Sequence, residues 1–144
     1  GFCLVGSEMC IRDRSEVAMH EQVGLLAYSP LAQGTLTGKY LGGQMPQGSR
    51  LALFGDGPLM MRYKGDKTQQ AIEMYVNLAK KYEIDPAQLA IQFCNIQPFV
   101  TSTIIGATTM EQLKTCIDSV DLDITKEITN EIRSIHKEIP NPAP

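Results

Sequence analysis

Gly24-Leu25-Leu26-Ala27-Tyr28-Ser29-Pro30-Leu31-Ala32-Gln33-Gly34-Thr35-Leu36-Thr37-Gly38-Lys39-Tyr40 is where an apolar run gives way to a loop of small residues. Leu25 to Tyr28 suit a short strand covered on both faces. Pro30 cannot continue a ladder, and it biases Ser29 toward an extended or turn conformation. Gly34 and Gly38 let backbone come close to a ligand, with Ser29, Thr35 and Thr37 as hydroxyl donors. Tyr28, at the strand's end, offers a flat face to a flat ring. The same pattern also fits a core strand followed by an ordinary surface loop.

The chain around this stretch has 144 residues, one domain's length, with 43% hydrophobic and 20% charged residues. Its 13 basic and 16 acidic side chains give a net charge of -3 and form no basic stripe, so no nucleic-acid partner is expected. No apolar run approaches the roughly 20 residues of a spanning helix, so no membrane partner is expected. Residues 1–14 show no apolar core of leader length, and a cytoplasmic location is expected. Cys3, Cys10, Cys94 and Cys116 form no C-x-x-C pair, which fits a reducing compartment. Cys94 lies in an apolar helical stretch and reads as a small core residue. His20 and His136 stand alone, so no metal site is expected.

The first fourteen residues look foreign to the rest. Leu4 to Asp13 match, codon for codon, the translation of a transposon-based sequencing adapter, and Cys3 and Arg14 are compatible with its two ends. Residues 1–14 are therefore expected to be non-native, with 15–144 the evolved domain. The alternative is a natural N-terminal strand and turn. Glu16 to Gln22 then read as a helix end, with Val17, Ala18 and Val23 facing inward.

Beyond the opening loop, Lys39 to Lys67 carry no sustained period and many glycines. Leu51, Leu53, Phe54, Leu59, Met60, Met61 and Tyr63 make the stretch too apolar for a plain linker. It reads either as part of a substrate pocket or as a surface loop with apolar anchors. Thr68 to Tyr82 form an amphipathic helix with Ala71, Tyr75, Leu78, Ala79 and Tyr82 on one face. Asp85-Pro86 open the next helix, as N-cap and first helical residue. A second strand, Ser102 to Ile105, runs into Gly106-Ala107-Thr108-Thr109 and a helix from Met110 to Val120, with Leu113, Ile117 and Val120 inside. Strand, glycine, hydroxyl cap and helix together make a ready anion site, because the first helical N–H groups are unpaired. Thr125 caps a last helix whose Ile128, Ile132, Ile135 and Ile139 share a face. The tail from Pro140 to Pro144 cannot be helical and is expected along the surface.

Alternating strands and helices suggest parallel βα units. Two strands cannot close a core, and a (β/α)8 TIM barrel needs about 250 residues. In that architecture the site gathers at the C-terminal ends of the strands, and loops after strands seven and eight commonly hold phosphate.

The residues now resemble a family. Tyr28-Ser29-Pro30-Leu31, Gly34-Thr35-Leu36-Thr37-Gly38-Lys39-Tyr40, Asp85-Pro86-Ala87-Gln88 and the stretch from Gln97 to Lys114 are similar to the aldo-keto reductases. The likeness is strongest to the bacterial NADP(H)-dependent branch that suppresses tyrosine auxotrophy. It covers Ser15 to Pro144 and implies an α/β fold: strands seven and eight of the barrel with their helices, plus the C-terminal helix. It implies that Tyr28 stacks on the nicotinamide of NADP(H). Ser29, Leu31, Gly34, Thr35, Leu36, Thr37 and Gly38 would line the pyrophosphate. Gly106, Ala107, Thr108, Thr109 and Gln112 would meet the adenosine end.

Two positions depart from the family pattern. No cation lies between Ile104 and Leu113 to hold a 2'-phosphate, and Cys116 stands where an Asn near the adenine is usual. The family's catalytic Asp, Tyr, Lys and His come from the first half of the barrel, and none maps onto this chain. The resemblance implies a parent oxidoreductase acting on small carbonyl substrates, with the fragment alone inactive. The competing expectation is a non-enzymatic nucleotide-binding module or a channel-associated regulatory subunit.

Overall fold

The computed structural model describes residues 15–55, 57–140 and 142–143. The adapter-like segment lies outside the described residues. Residues 15–20 form helix α1, followed by strand β1, Leu25–Tyr28. After it come a 3-10 turn over Ala32–Thr37 and another over Leu41–Gly43. Two short helices follow, α2 (Arg50–Phe54) and α3 (Pro58–Met61). The remainder is α4 (Asp66–Lys81), α5 (Pro86–Asn95), β2 (Val100–Ile104), α6 (Met110–Asp118) and α7 (Lys126–Glu138). The stretch expected to be irregular thus contains α2 and α3, too short for a helical period to register.

β1 and β2 pair directly and in parallel, with Leu26 opposite Ser102, Ala27 opposite Thr103 and Tyr28 opposite Ile104. The chain between them is a crossover carried by helices, as parallel neighbours require. Both strands therefore end on the same edge of the sheet, and the loops after them leave side by side.

Local chemistry sets the helix starts. Asp85 accepts from the N–H groups of Ala87 at 2.8 Å and Gln88 at 3.2 Å, and Pro86 fills the first helical position. The Thr125 hydroxyl accepts from the Ile128 N–H at 3.3 Å. The main core lies between α4, α5 and α7, where Leu78, Ala79, Leu89, Ile128, Ile132 and Ile135 are buried together. Ile139 is buried too, completing the isoleucine row. α4 also buries Ile72 and Val76, a wider face than the one expected.

Four expectations need correction. β1 is not covered on both faces: Leu26 is 61% exposed and Tyr28 42%, on the face that also carries Ile104. No described element packs there. Helix α6 is rotated from its expected phase: Cys116 and Ser119 are buried, while Ile117 and Val120 are exposed beside an open groove against β2. Val17 and Val23 face outward. The tail is non-helical but does not lie on the surface, for Pro142 and Ala143 are buried.

Candidate functional site

The loop after β1 is a strained structure held by its own hydrogen bonds. Ser29, Ala32 and Gln33 have φ of 55, 47 and 61 degrees. For a non-glycine residue each such excursion costs on the order of 1–2 kcal/mol. Gly34 (φ 88) and Gly38 (φ 79) take the left-handed positions that only glycine adopts readily. Gly38 is closely packed as well, because a Cβ there would stand 3.1 Å from Val76 Cγ2.

The loop's hydroxyls are partly spent inside it. Thr35 Oγ1 donates to the Ala32 carbonyl at 2.8 Å and is buried. Thr37 Oγ1 donates to the Gly34 carbonyl at 2.8 Å and accepts from the Lys39 N–H at 3.4 Å. These two threonines thus fix the loop's shape, and any contact they make to a ligand is secondary to that. Ser29 and Leu31 are half-buried at the strand's exit, and Leu36 packs on the cluster of Ala32 and Tyr63.

The second rim is more open. Gly106, Ala107, Thr108, Thr109 and Gln112 are all exposed. Thr109 caps α6 by accepting from the Gln112 N–H at 3.2 Å. The Gln112 carboxamide oxygen in turn accepts from the N–H and the hydroxyl of Thr108, both at 3.1 Å. This reciprocal arrangement leaves the helix N-terminus ordered and accessible. Glu111 in the first turn adds a negative charge that disfavours a dianion there. A sugar or a base suits this rim better than a phosphate.

Tyr28 is the last residue of β1, opposite Ile104. Its ring is half-exposed on the open sheet face, available to stack.

Two cations beside the first rim were missed by the sequence reading, which looked for one only near Gly106. The Lys39 side chain folds back along the loop: its Nζ lies 3.0 Å from where a Cβ on Gly34 would be, and 5.1 Å from the Tyr40 ring centroid. Arg50, at the start of α2, donates from Nη1 to Gln33 Oε1 at 2.6 Å. Lys39 was legible, being within the quoted motif. Arg50 was not, because 17 residues separate it from its partner.

A family model described as the aldo/keto reductase family matches residues 8–137. The chain belongs to the aldo/keto reductase family. It is 48% identical over 130 residues to Protein tas of Escherichia coli (strain K12), a match that takes in 90% of this chain and 37% of that protein. It is 38% identical over 118 residues to an aldo-keto reductase of Babesia bovis, covering 79% of this chain and 41% of the relative. A third relative is the "Probable voltage-gated potassium channel subunit beta" of Oryza sativa subsp. japonica, 36% identical over 115 residues, 78% of this chain and 35% of that protein. The chain therefore spans little more than a third of the lengths of these curated relatives.

The described aldo/keto reductase residues contain no group of three or more His, Cys, Asp or Glu placed to hold a metal ion. No helix among them is long and apolar enough to cross a membrane.

Proposed function

We propose that residues 15–144 are the C-terminal part of a (β/α)8 barrel, and that they bind NADP(H) for a cytoplasmic oxidoreductase that reduces aldehydes or ketones. The observation that supports the proposal is the parallel pairing of β1 with β2, by which both loops leave from the same end of the sheet and Tyr28 ends β1. In this reading the Tyr28 ring stacks on the nicotinamide. The Ser29–Gly38 loop follows the pyrophosphate, with Ser29, Leu31, Gly34, Thr35, Leu36, Thr37 and Gly38 along it. Gly106, Ala107, Thr108, Thr109 and Gln112 meet the adenosine.

The N–H groups of Ala32, Gly34, Leu36 and Gly38 donate to the loop's own carbonyls, so positive side chains carry the attraction for an anion. Lys39 and Arg50 supply positive charge on the same side. When bound, the cofactor supplies the hydride. This chain's residues bind and orient it, and the proton-donating groups lie elsewhere in the parent. The chain alone is accordingly expected to be inactive.

Fluorescence titration of the complete gene product with NADPH tests the proposal. Replacing Tyr28 by Ala is expected to weaken binding about tenfold, the value of one lost aromatic stack. Tight binding unaffected by Tyr28→Ala would defeat the assignment. A second reading, a regulatory subunit that binds nucleotide without turnover, is favoured by the name of the rice relative. The two separate in one assay: NADPH bound but never oxidised across a panel of aldehydes supports the second.

A further inference from the structure

We propose that residues 142–143 act as a strap that holds the Ser29–Gly38 loop in its ligand-receiving shape. What the loop receives rests on the NADP(H) reading above; that the strap holds the loop does not.

The loop needs outside support. Ser29, Ala32 and Gln33 are left-handed without being glycine, and such residues persist only where their surroundings over-determine them. Its internal bonds span no more than five residues, from Leu36 N to the Leu31 carbonyl at the longest. They close turns, and the loop's other ties are the Arg50–Gln33 bond and the packing of Gly38 on Val76. Ala32 is 4% exposed and packs in one cluster with Tyr63, Ala143 and Leu36.

Ala143 is itself 2% exposed and reaches this place across most of the chain. Two donors fix it there. Arg62 Nη2 donates to the Ala143 carbonyl at 3.3 Å. The Thr68 hydroxyl, 3% exposed, donates to the Pro142 carbonyl. Thr68 lies in the first turns of α4, the longest helix, so the strap is anchored to a rigid element.

The third member of the cluster is Tyr63, 4% exposed, and burial pushes its phenol above the ordinary range. The Tyr63 carbonyl accepts from Gln69 Nε2 at 2.7 Å, which holds the 62–64 turn against α4 as well. Strap, turn and loop form one packed unit, separate from the main core.

Releasing residues 142–143 exposes Ala32 and lets it relax to negative φ. Gln33 and Gly34 then swing, and the loop loses its shape. Ligand affinity falls by the fraction of time the loop spends in its correct shape.

The test uses the complete gene product. Ala143→Glu forces a charge into the cluster, Arg62→Ala removes one anchor, and Arg62→Lys keeps a donor. Amide hydrogen exchange without ligand is expected to quicken about tenfold at residues 31–38 in the first two variants, with residues 128–135 of α7 unchanged. Arg62→Lys is expected to behave like the parent protein. NADPH affinity is expected to fall about tenfold alongside. Unchanged exchange at 31–38 in Ala143→Glu overturns the strap; should that variant fail to fold, unchanged exchange in Arg62→Ala does so. A parent protein that binds no NADPH refutes the cofactor reading, and the exchange data still decide the strap.

Discussion

Gly38 and Gly42 share a left-handed backbone but not a neighbourhood, and the contrast isolates what packing adds to strain. Both have positive φ, 79 and 68 degrees. A Cβ on Gly42 meets nothing within 4 Å, whereas one on Gly38 presses Val76 at 3.1 and 3.3 Å. Gly42→Ala is expected to cost about 1 kcal/mol, the strain alone. Gly38→Ala is expected to cost about 2–3 kcal/mol, because Val76 sits in the interior of α4 and cannot yield freely. Urea unfolding of the two variants measures the difference. Cys94 permits another residue-scale expectation: burial pushes its thiol up to about 11, so little thiolate exists at neutral pH. Thiol reagents should modify this half-buried thiol more slowly than a free cysteine, and labelling at the free-cysteine rate would contradict its placement. Glycine positions were legible in the sequence because glycine signals its own conformational use. The left-handed Ser29, Ala32 and Gln33 were not, since nothing in those residue types announces a positive φ.

The α4–α7 pair shows why some elements were readable. Ile128, Ile132, Ile135 and Ile139 repeat at helical spacing, and all four are buried, so period alone gave the face. Asp85, Thr109 and Thr125 were recognisable as caps because capping is a contact within four residues. The phase of α6 failed for a complementary reason: its expected inner residues, Ile117 and Val120, face the groove beside β2, and no described element fills it. Thr125→Ala should cost about 1 kcal/mol through the lost cap. Ile132→Ala should cost about 2–5 kcal/mol through the cavity it leaves. Across the same interface Glu131 accepts from Lys81 Nζ at 2.7 Å and from the Tyr82 hydroxyl at 2.6 Å. Its carboxyl is held below the usual range, by Lys81 first and then Tyr82. A depressed carboxyl contributes stability at neutral pH and loses it as pH falls from its unfolded value near 4.5 toward its folded value. Glu131→Gln should lower stability at neutral pH and leave it unchanged below that window, so that the acid limb of the stability–pH curve flattens; a limb as steep as the parent's would show that the contact contributes nothing.

At the scale of the whole molecule, the open surfaces and the family membership point the same way. Leu26, Tyr28 and Ile104 stand exposed on one sheet face, and Ile117 and Val120 line an open groove of about 600 Å³ on the other side of β2. Among the described residues the buried Thr103 hydroxyl at that groove has no hydrogen-bond partner, a costly state for a polar atom in a finished interior. Among the described residues the two strands also leave two unpaired edges, which invite pairing with other chains. A barrel removes each of these liabilities at once, by closing the edges, filling the face with interior side chains and completing the packing beside Thr103. Relatives almost three times as long as their match to this chain have the residues to do so. Residues 15–144 expressed alone are therefore expected to self-associate, to bind a hydrophobic dye and to retain no NADPH. The complete gene product should sediment as a discrete species, exclude the dye and bind the nucleotide. The isolated segment has one way to contradict this. If it sediments as a monomer, melts cooperatively and binds NADPH, then the strap, the α4–α7 core and the two loops form a self-sufficient binding module, and the exposed sheet face needs no barrel to cover it.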